Sequence, residues 1–142
     1  MRDDLRFFLD RGMGSKIVPE GLRRAGWRVV TMDERYGLDG SQHIADVDWI
    51  RHACDEGDVI LAKDRAIAKH PLEAEALVAS RARAFIIASA NITGAQMLDR
   101  LLANSESIER AANADGPFVW SVDLHRLQRI RIKLPRYDEP SR

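Results

Sequence analysis

Apolar residues along the chain occur in two patterns, short continuous runs and longer stretches with helical spacing. A short run between turn residues predicts a buried strand, and apolar positions at i, i+3 and i+4 predict an amphipathic helix. The runs predict strands over residues 5–9, 27–32, 58–62, 84–88, 117–122 and 127–134. The helical spacing predicts helices over residues 16–25, 46–56, 66–80 with a break at Pro71, and 93–108. Residues 33–42 are mostly polar, contain two glycines and show no period, so they predict a loop.

Along the chain, the predicted strands and helices alternate, and the last two elements are both strands. Alternation predicts a mainly parallel sheet, because parallel strands need crossover connections and helices then cover both faces. We therefore expect the α/β class, a three-layer α/β/α architecture with a mainly parallel central sheet. A chain of 142 residues and 16.0 kDa buries roughly two-thirds of its surface on folding. We expect a single domain over residues 1–142, in which residues 135–142 form a flexible tail.

Charge and cysteine content narrow the class of protein. Lys and Arg number 22 and so do Asp and Glu, so the chain as a whole is not a strongly basic nucleic-acid binder. One strip without acids could attract phosphates, although a solvated strand edge is the plainer interpretation. The strip contains Arg126, Arg129, Arg131, Lys133 and Arg136. The single Cys54 cannot form an intramolecular disulfide, and the sequence has neither a signal peptide nor an apolar run long enough to span a membrane. We expect a cytoplasmic protein without a membrane partner.

Carboxylates follow three of the predicted strands. Asp10 ends the first strand, Asp33 follows the second and Asp64 follows the third. Ligands of open α/β sheets bind beyond the carboxyl ends of the strands, although a lone Asp there is commonly a turn former. Asp46, at the start of the second helix, shares a helical face with apolar residues, so we rank it above Asp48, whose face is polar.

If Asp10, Asp46 and Asp64 converge, their mutual repulsion approaches the stability of a whole domain unless a cation or protons compensate. Oxygen ligands alone suit Mg²⁺ or Mn²⁺, and a bound divalent ion would suit hydrolysis of a phosphodiester. Positive and polar side chains near these strand ends are candidates for holding the substrate. They are Lys16, Lys63, Asn91 and Thr93.

Several segments together resemble a known family. FFLDRG at 7–12, DVDWIRHA at 46–53 and DVILAKD at 58–64 occur in the order found in the PIN-domain superfamily of metal-dependent ribonucleases, specifically the compact PIN-like toxins of VapC type. The later GPFVWSV and NITGAQ segments are also similar to this group. The resemblance extends over roughly residues 5–132.

The resemblance implies that Asp10, Asp46 and Asp64 are the metal-binding and catalytic aspartates of a Mg²⁺-dependent endoribonuclease. It also implies a cognate antitoxin protein as partner and a homodimer. A fourth acid is not found shortly after Asp64, and Asp48 or Asp33 could substitute for it. This departure leaves open whether one or two metals bind.

Other functions compete with this interpretation. A phosphoacceptor receiver domain or an Asp-nucleophile phosphatase needs paired acids after the first strand, but Arg11 and Gly12 follow Asp10. A non-catalytic PIN-like module that binds RNA or protein stays open, because one missing ligand would abolish turnover and leave the fold intact.

Overall fold

The computed structural model describes residues 1–64 and 66–134. Six strands form one sheet in the order β2-β1-β3-β4-β5-β6, parallel throughout except for β6, which is antiparallel to β5. The strands are β1 (Arg6–Leu9), β2 (Arg28–Thr31), β3 (Val59–Lys63), β4 (Arg83–Ile87), β5 (Phe118–Val122) and β6 (Leu127–Ile130). The expected α/β class and mainly parallel sheet are confirmed.

Helices connect the strands, and a short 3₁₀ turn at Arg11–Met13 follows β1. The helices are α1 (Ile17–Arg24), α2 (Met32–His43), α3 (Asp46–Asp55), α4 (Ala66–Lys69), α5 (Pro71–Ala79), α6 (Gly94–Ala103) and α7 (Ser105–Ala111). In the part of the chain that the structure describes, none of the helices has both the length and the apolar character needed to cross a membrane.

Two apolar cores lie on opposite faces of the sheet and make the architecture three-layered. One core joins Phe7 and Leu9 of β1 to Leu22 of α1 and to residues of α6 and α7. The other joins Phe8 to Trp49 of α3 and to residues of α2 and α5. Because successive side chains of a strand point to opposite faces, β1 contributes to both cores.

The prediction of a loop over residues 33–42 is wrong, because α2 occupies this segment. Thr31 begins the helix with a capping box, in which its side chain accepts from the Glu34 N–H and the Glu34 carboxylate accepts from the Thr31 N–H. Gly37, at φ 78°, then kinks the helix in a backbone region that glycine adopts at little cost. Of the two glycines that favoured a loop, Gly37 therefore bends the helix and Gly40 lies within it.

The last predicted helix is divided at Asn104, where α6 ends and α7 begins. The Asn104 side chain donates to the carbonyl oxygens of Arg100 and Asp123, so it anchors the break to the end of β5. The side chains of Thr93 and Gln96 form a capping box at the start of α6. The expected tail over 135–142 lies outside the described residues.

The order of the strands creates a crevice between β1 and β3. From β1 the chain passes through α1 to β2, and from β2 it returns through α2 and α3, on the other face, to β3. In doubly wound sheets, ligands bind where the connections diverge to opposite faces, beyond the carboxyl ends of the strands. Asp10 and Asp64 directly follow the two strands at this point.

Candidate active site

The carboxylate of Asp10 is buried, and one of its oxygens has no hydrogen-bond partner among the described residues. Its backbone continues the sheet, since its N–H donates to the Leu61 carbonyl at 3.0 Å. The residue as a whole is partly buried, but its Oδ1 is inaccessible and has no hydrogen-bond partner among the described residues. Burial raises the pKa of Asp10 to about 7, and the negative charge of Asp46 adds to this rise. Backbone N–H groups of Lys63, Gly12 and Met13 act in the opposite direction on this pKa.

Gly12 keeps space open beside this carboxylate. A Cβ at Gly12 would lie 3.0 Å from the Lys63 Cβ and 3.3 Å from Asp10 Oδ1. Both separations are tighter than ordinary van der Waals contact. The 3₁₀ turn therefore approaches β3 closely only because residue 12 has no side chain.

Asp46 is held by two neighbours at the first turn of α3. The indole N–H of Trp49 donates to its Oδ1 at 2.8 Å, and Nη1 of Arg11 lies 3.8 Å from the same oxygen. Trp49 is buried, whereas the Asp46 side chain is 47% exposed. One oxygen of Asp46 therefore faces the buried Trp49, whereas the side chain as a whole is half exposed. Its role as a metal ligand stays a prediction.

Asp64 has an unusual backbone conformation directly after β3. Its φ is 96°, a region that L-residues other than glycine rarely adopt, while its N–H donates to the Ile87 carbonyl at 2.9 Å. Its carboxylate accepts from the Ala66 N–H at 3.1 Å. Strain of this kind persists where surrounding structure enforces it, and it concentrates at functional sites.

The structure brings Asp10 and Asp46 within electrostatic range but does not gather all three aspartates. Across residues 1–64 and 66–134, no group of three or more His, Cys, Asp or Glu side chains is placed to hold one metal ion. The role of Asp64 as a third ligand thus stays a prediction. Even so, a buried carboxylate oxygen without a partner and a second carboxylate nearby suit a hard divalent cation, which prefers oxygen ligands.

A cleft of about 260 Å³ opens beside Asp10 on the β2 side. Asp33 shares this cleft, and its carboxylate accepts from the Ser41 hydroxyl. The remaining walls come from the turn after β1, the start of α2 and its last turns. They include Arg11, Gly14, Ser15, Thr31, Met32, Leu38 and Gln42. Of the two candidates for a fourth acid, Asp33 therefore lies beside Asp10.

The other predicted site residues are more dispersed. Asp48 is exposed. Burial raises the pKa of Tyr36, on α2, and the charge of Asp48 adds to this rise. Lys16 is exposed at the N-cap of α1, and Lys63 is partly buried beside Gly12.

Asn91 and Thr93 are both exposed beyond β4, and the Thr93 hydroxyl is used in its helix cap.

Sequence reasoning missed the contribution of α2 and of Arg11. Arg11 donates to the carbonyl oxygens of Ser41 at 2.9 Å and Ile44 at 3.1 Å, so it connects the turn after β1 to the end of α2. The signal that could have revealed α2 is Thr31 followed by Glu34, the spacing of a capping box.

Two comparisons with known proteins found similar sequences. The sequence profile of a family described as a PIN-like domain matches residues 5–89, which include Asp10, Asp46 and Asp64. The chain is also 34% identical over 123 residues to a protein of Mycobacterium tuberculosis named "Putative ribonuclease VapC45". That alignment covers 87% of this chain and 89% of the relative. The comparison with solved structures returned no significant match.

Proposed function

This chain belongs to the family of PIN-like domains, and from that premise we propose that it is a Mg²⁺-dependent endoribonuclease that acts as the toxin of a toxin–antitoxin pair. The observation that carries the proposal is the buried, unpartnered Oδ1 of Asp10 next to the charge of Asp46. Two carboxylates in this position are unfavourable by themselves and favourable around a divalent cation. The name of the mycobacterial relative supports RNA as the substrate.

Asp10 and Asp46 would hold the ion, with Asp64 and Asp33 as further candidates from neighbouring strand ends. A divalent ion bound there would lower the pKa of a water molecule and neutralise charge on the phosphodiester. The chain's own residues position the two carboxylates. The Trp49 indole orients one oxygen of Asp46, and Gly12 leaves room beside Asp10.

Substrate binding is assigned to positive groups at the same edge of the sheet. Lys63 lies against the turn that carries Gly12, and Lys16 lies at the N-cap of α1, where positive charge would meet a phosphate entering the cleft. Asn91 and Thr93 are exposed beyond β4 and offer polar contacts farther along. The cognate antitoxin would restrain the enzyme by occupying this edge.

A second candidate function is a non-catalytic PIN-like module that binds RNA or protein. The observation that favours it is the absence, within the described residues, of a group of three carboxylates around one position. The two functions differ in turnover, so one set of variants separates them.

The test uses wild-type protein, Asp10→Asn, Asp46→Asn and Asp64→Asn, with Asp99→Asn on the exposed face of α6 as the matched control. Mg²⁺ binding is measured by calorimetry, and cleavage of a single-stranded RNA is followed on the same preparations. We expect the three site variants to lose at least tenfold in cleavage and the control to match the wild type. Tight RNA binding without cleavage by the wild type, at any Mg²⁺ concentration, would establish the non-catalytic alternative.

A further inference from the structure

Positive side chains alternate with apolar ones at the far edge of the sheet. Ile130 and Ile132 pack against one of the apolar cores, whereas Arg129, Arg131 and Lys133 are exposed. Side chains of a strand alternate between the two faces of its sheet, which places Arg129 on the face opposite Ile130. The same alternation of exposed and partly buried residues continues through residues 131–133. We call Arg129, Arg131 and Lys133 the basic edge.

The backbone of the basic edge is anchored. β6 pairs with β5 through four residues, and beyond it the Lys133 N–H donates to the Ala68 carbonyl at 2.8 Å. Within the described residues, no other strand pairs with the outer side of β6. The cations are therefore displayed on a fixed scaffold with an open flank.

In the part of the chain that the structure describes, the charges of the basic edge are poorly neutralised. In residues 1–64 and 66–134, no carboxylate forms an ion pair with Arg129, Arg131 or Lys133, while nearby Arg126 reaches Asp123 only at 4.0 Å. The Arg129 guanidinium instead lies over the Trp120 ring, 5.3 Å from its centroid. Stacking uses the flat face of a guanidinium and leaves the N–H groups at its rim for a phosphate.

We infer that the basic edge binds the phosphate backbone of single-stranded RNA whose scissile bond lies at the candidate active site, an inference that rests on the proposed function. Four strand spacings of about 4.8 Å separate β1 from β6, or about 19 Å. A stacked strand advances about 3.4 Å per nucleotide, so a stacked RNA must extend roughly six nucleotides from the site to reach this edge. A dinucleotide cannot reach it, even when fully extended.

The first experiment measures binding without cleavage. A labelled single-stranded RNA of about 12 nucleotides, long enough for the roughly six-nucleotide span, is titrated by fluorescence anisotropy in EDTA at about 50 to 200 mM KCl. The variants are Arg129→Gln/Arg131→Gln/Lys133→Gln and the double Arg131→Gln/Lys133→Gln, which keeps the stack on Trp120. The control removes the same charge from exposed residues elsewhere, as Arg24→Gln/Arg51→Gln/Arg110→Gln.

Each phosphate neutralised by the protein contributes about 0.7 to the magnitude of the slope of log K against log salt for a single strand. We expect the triple variant to lower the magnitude of this slope by about 2, the double variant by about 1.4, and the control to leave it unchanged. Equal losses in the triple variant and the control would overturn the inference, since the effect would then follow net charge alone. An unchanged slope together with altered self-association would also overturn it and identify the edge as a protein interface.

A second measurement separates this inference from the proposed function. With Mg²⁺ present, the triple variant should cleave a dinucleotide, which is too short to reach the basic edge in any conformation, as the wild type does. On the longer RNA the triple variant should show a raised KM. If the wild type cleaves neither RNA, the proposed endoribonuclease function is wrong. The anisotropy measurement then still tests whether the basic edge binds RNA. If the wild type cleaves both RNAs and the variant has an unchanged KM on both, the inference about the basic edge is wrong and the proposed endoribonuclease function stands.

Discussion

Nη1 of Arg11, in the turn after β1, lies 3.8 Å from Oδ1 of Asp46, the first residue of α3. The same guanidinium donates to the carbonyl oxygens of Ser41 and Ile44, which close the end of α2. One side chain from the turn after β1 therefore fastens the junction between α2 and α3, from which Asp46 projects.

The carbonyl bonds of Arg11 should contribute more to stability than its ion pair. Both side chains of the pair are nearly half exposed, and exposed ion pairs contribute little. Hydrogen bonds from a charged donor contribute about 1 to 2 kcal/mol, so we expect Arg11→Met to lower the free energy of unfolding by about that amount. Arg11→Lys keeps the charge but cannot bridge both carbonyls, and it should be destabilised almost equally. Urea unfolding measures both variants, and full stability in Arg11→Lys would show that the charge is what matters.

The buried carboxylate of Asp10 should make the metal-free protein less stable as the pH rises. Its pKa is about 7 in the folded protein and near 3.8 in the unfolded chain, so the folded state holds the extra proton between these values. The unfolding free energy therefore falls from about pH 4 to about pH 7, by on the order of 2 to 4 kcal/mol from this group. Asp10→Asn should remove this dependence and be the more stable protein at pH 7 in EDTA. The measurement is urea unfolding at several pH values, and a wild-type profile that Asp10→Asn reproduces would contradict the assignment.

The strained backbone of Asp64 should allow a change that separates stability from activity. Glycine adopts a φ of 96° far more readily than aspartate, so Asp64→Gly relieves strain of about 1 kcal/mol or more, while it loses one bond to the Ala66 N–H. We expect unchanged or raised thermal stability together with a loss of RNA cleavage. Arg81→Gly, at φ 54° and away from the site, is the matched control and should keep full activity. Retained cleavage in Asp64→Gly would remove Asp64 from the catalytic group.

A methyl group at Gly12 should disturb the site without disturbing the rest of the fold. The added Cβ meets the Lys63 side chain and Asp10 Oδ1, and overpacking of this kind costs about 1 to 3 kcal/mol. We expect Gly12→Ala to lower the melting temperature and to weaken Mg²⁺ binding measured by calorimetry. In the control Gly40→Ala, the Cβ makes only an ordinary contact with Tyr36. If Gly12→Ala binds Mg²⁺ as the wild type does, the space beside Asp10 is not used by the ion.

Local sequence patterns determined the strands and most helices of this protein. The apolar runs of β1, β3 and β4 are buried on both faces, and such runs predict parallel strands directly. The positions of Asp10 and Asp64 at the carboxyl edge follow from the same runs, because each residue comes directly after a strand. α2 was missed because its glycines outweighed a capping box in which only two residues carry the signal.

Only the tertiary structure decided how the polar groups at that edge relate to one another. No local period reveals that Arg11 reaches Ser41 and Ile44, some 30 residues farther along, or that Asp33 shares the cleft of Asp10. The chain turns at Asp64 with a φ of 96°, a conformation that residue type does not specify. The order of strands and helices along the chain follows from short-range hydrophobic patterns. The order of the strands in the sheet and the distances between side chains from different elements depend on how those elements pack.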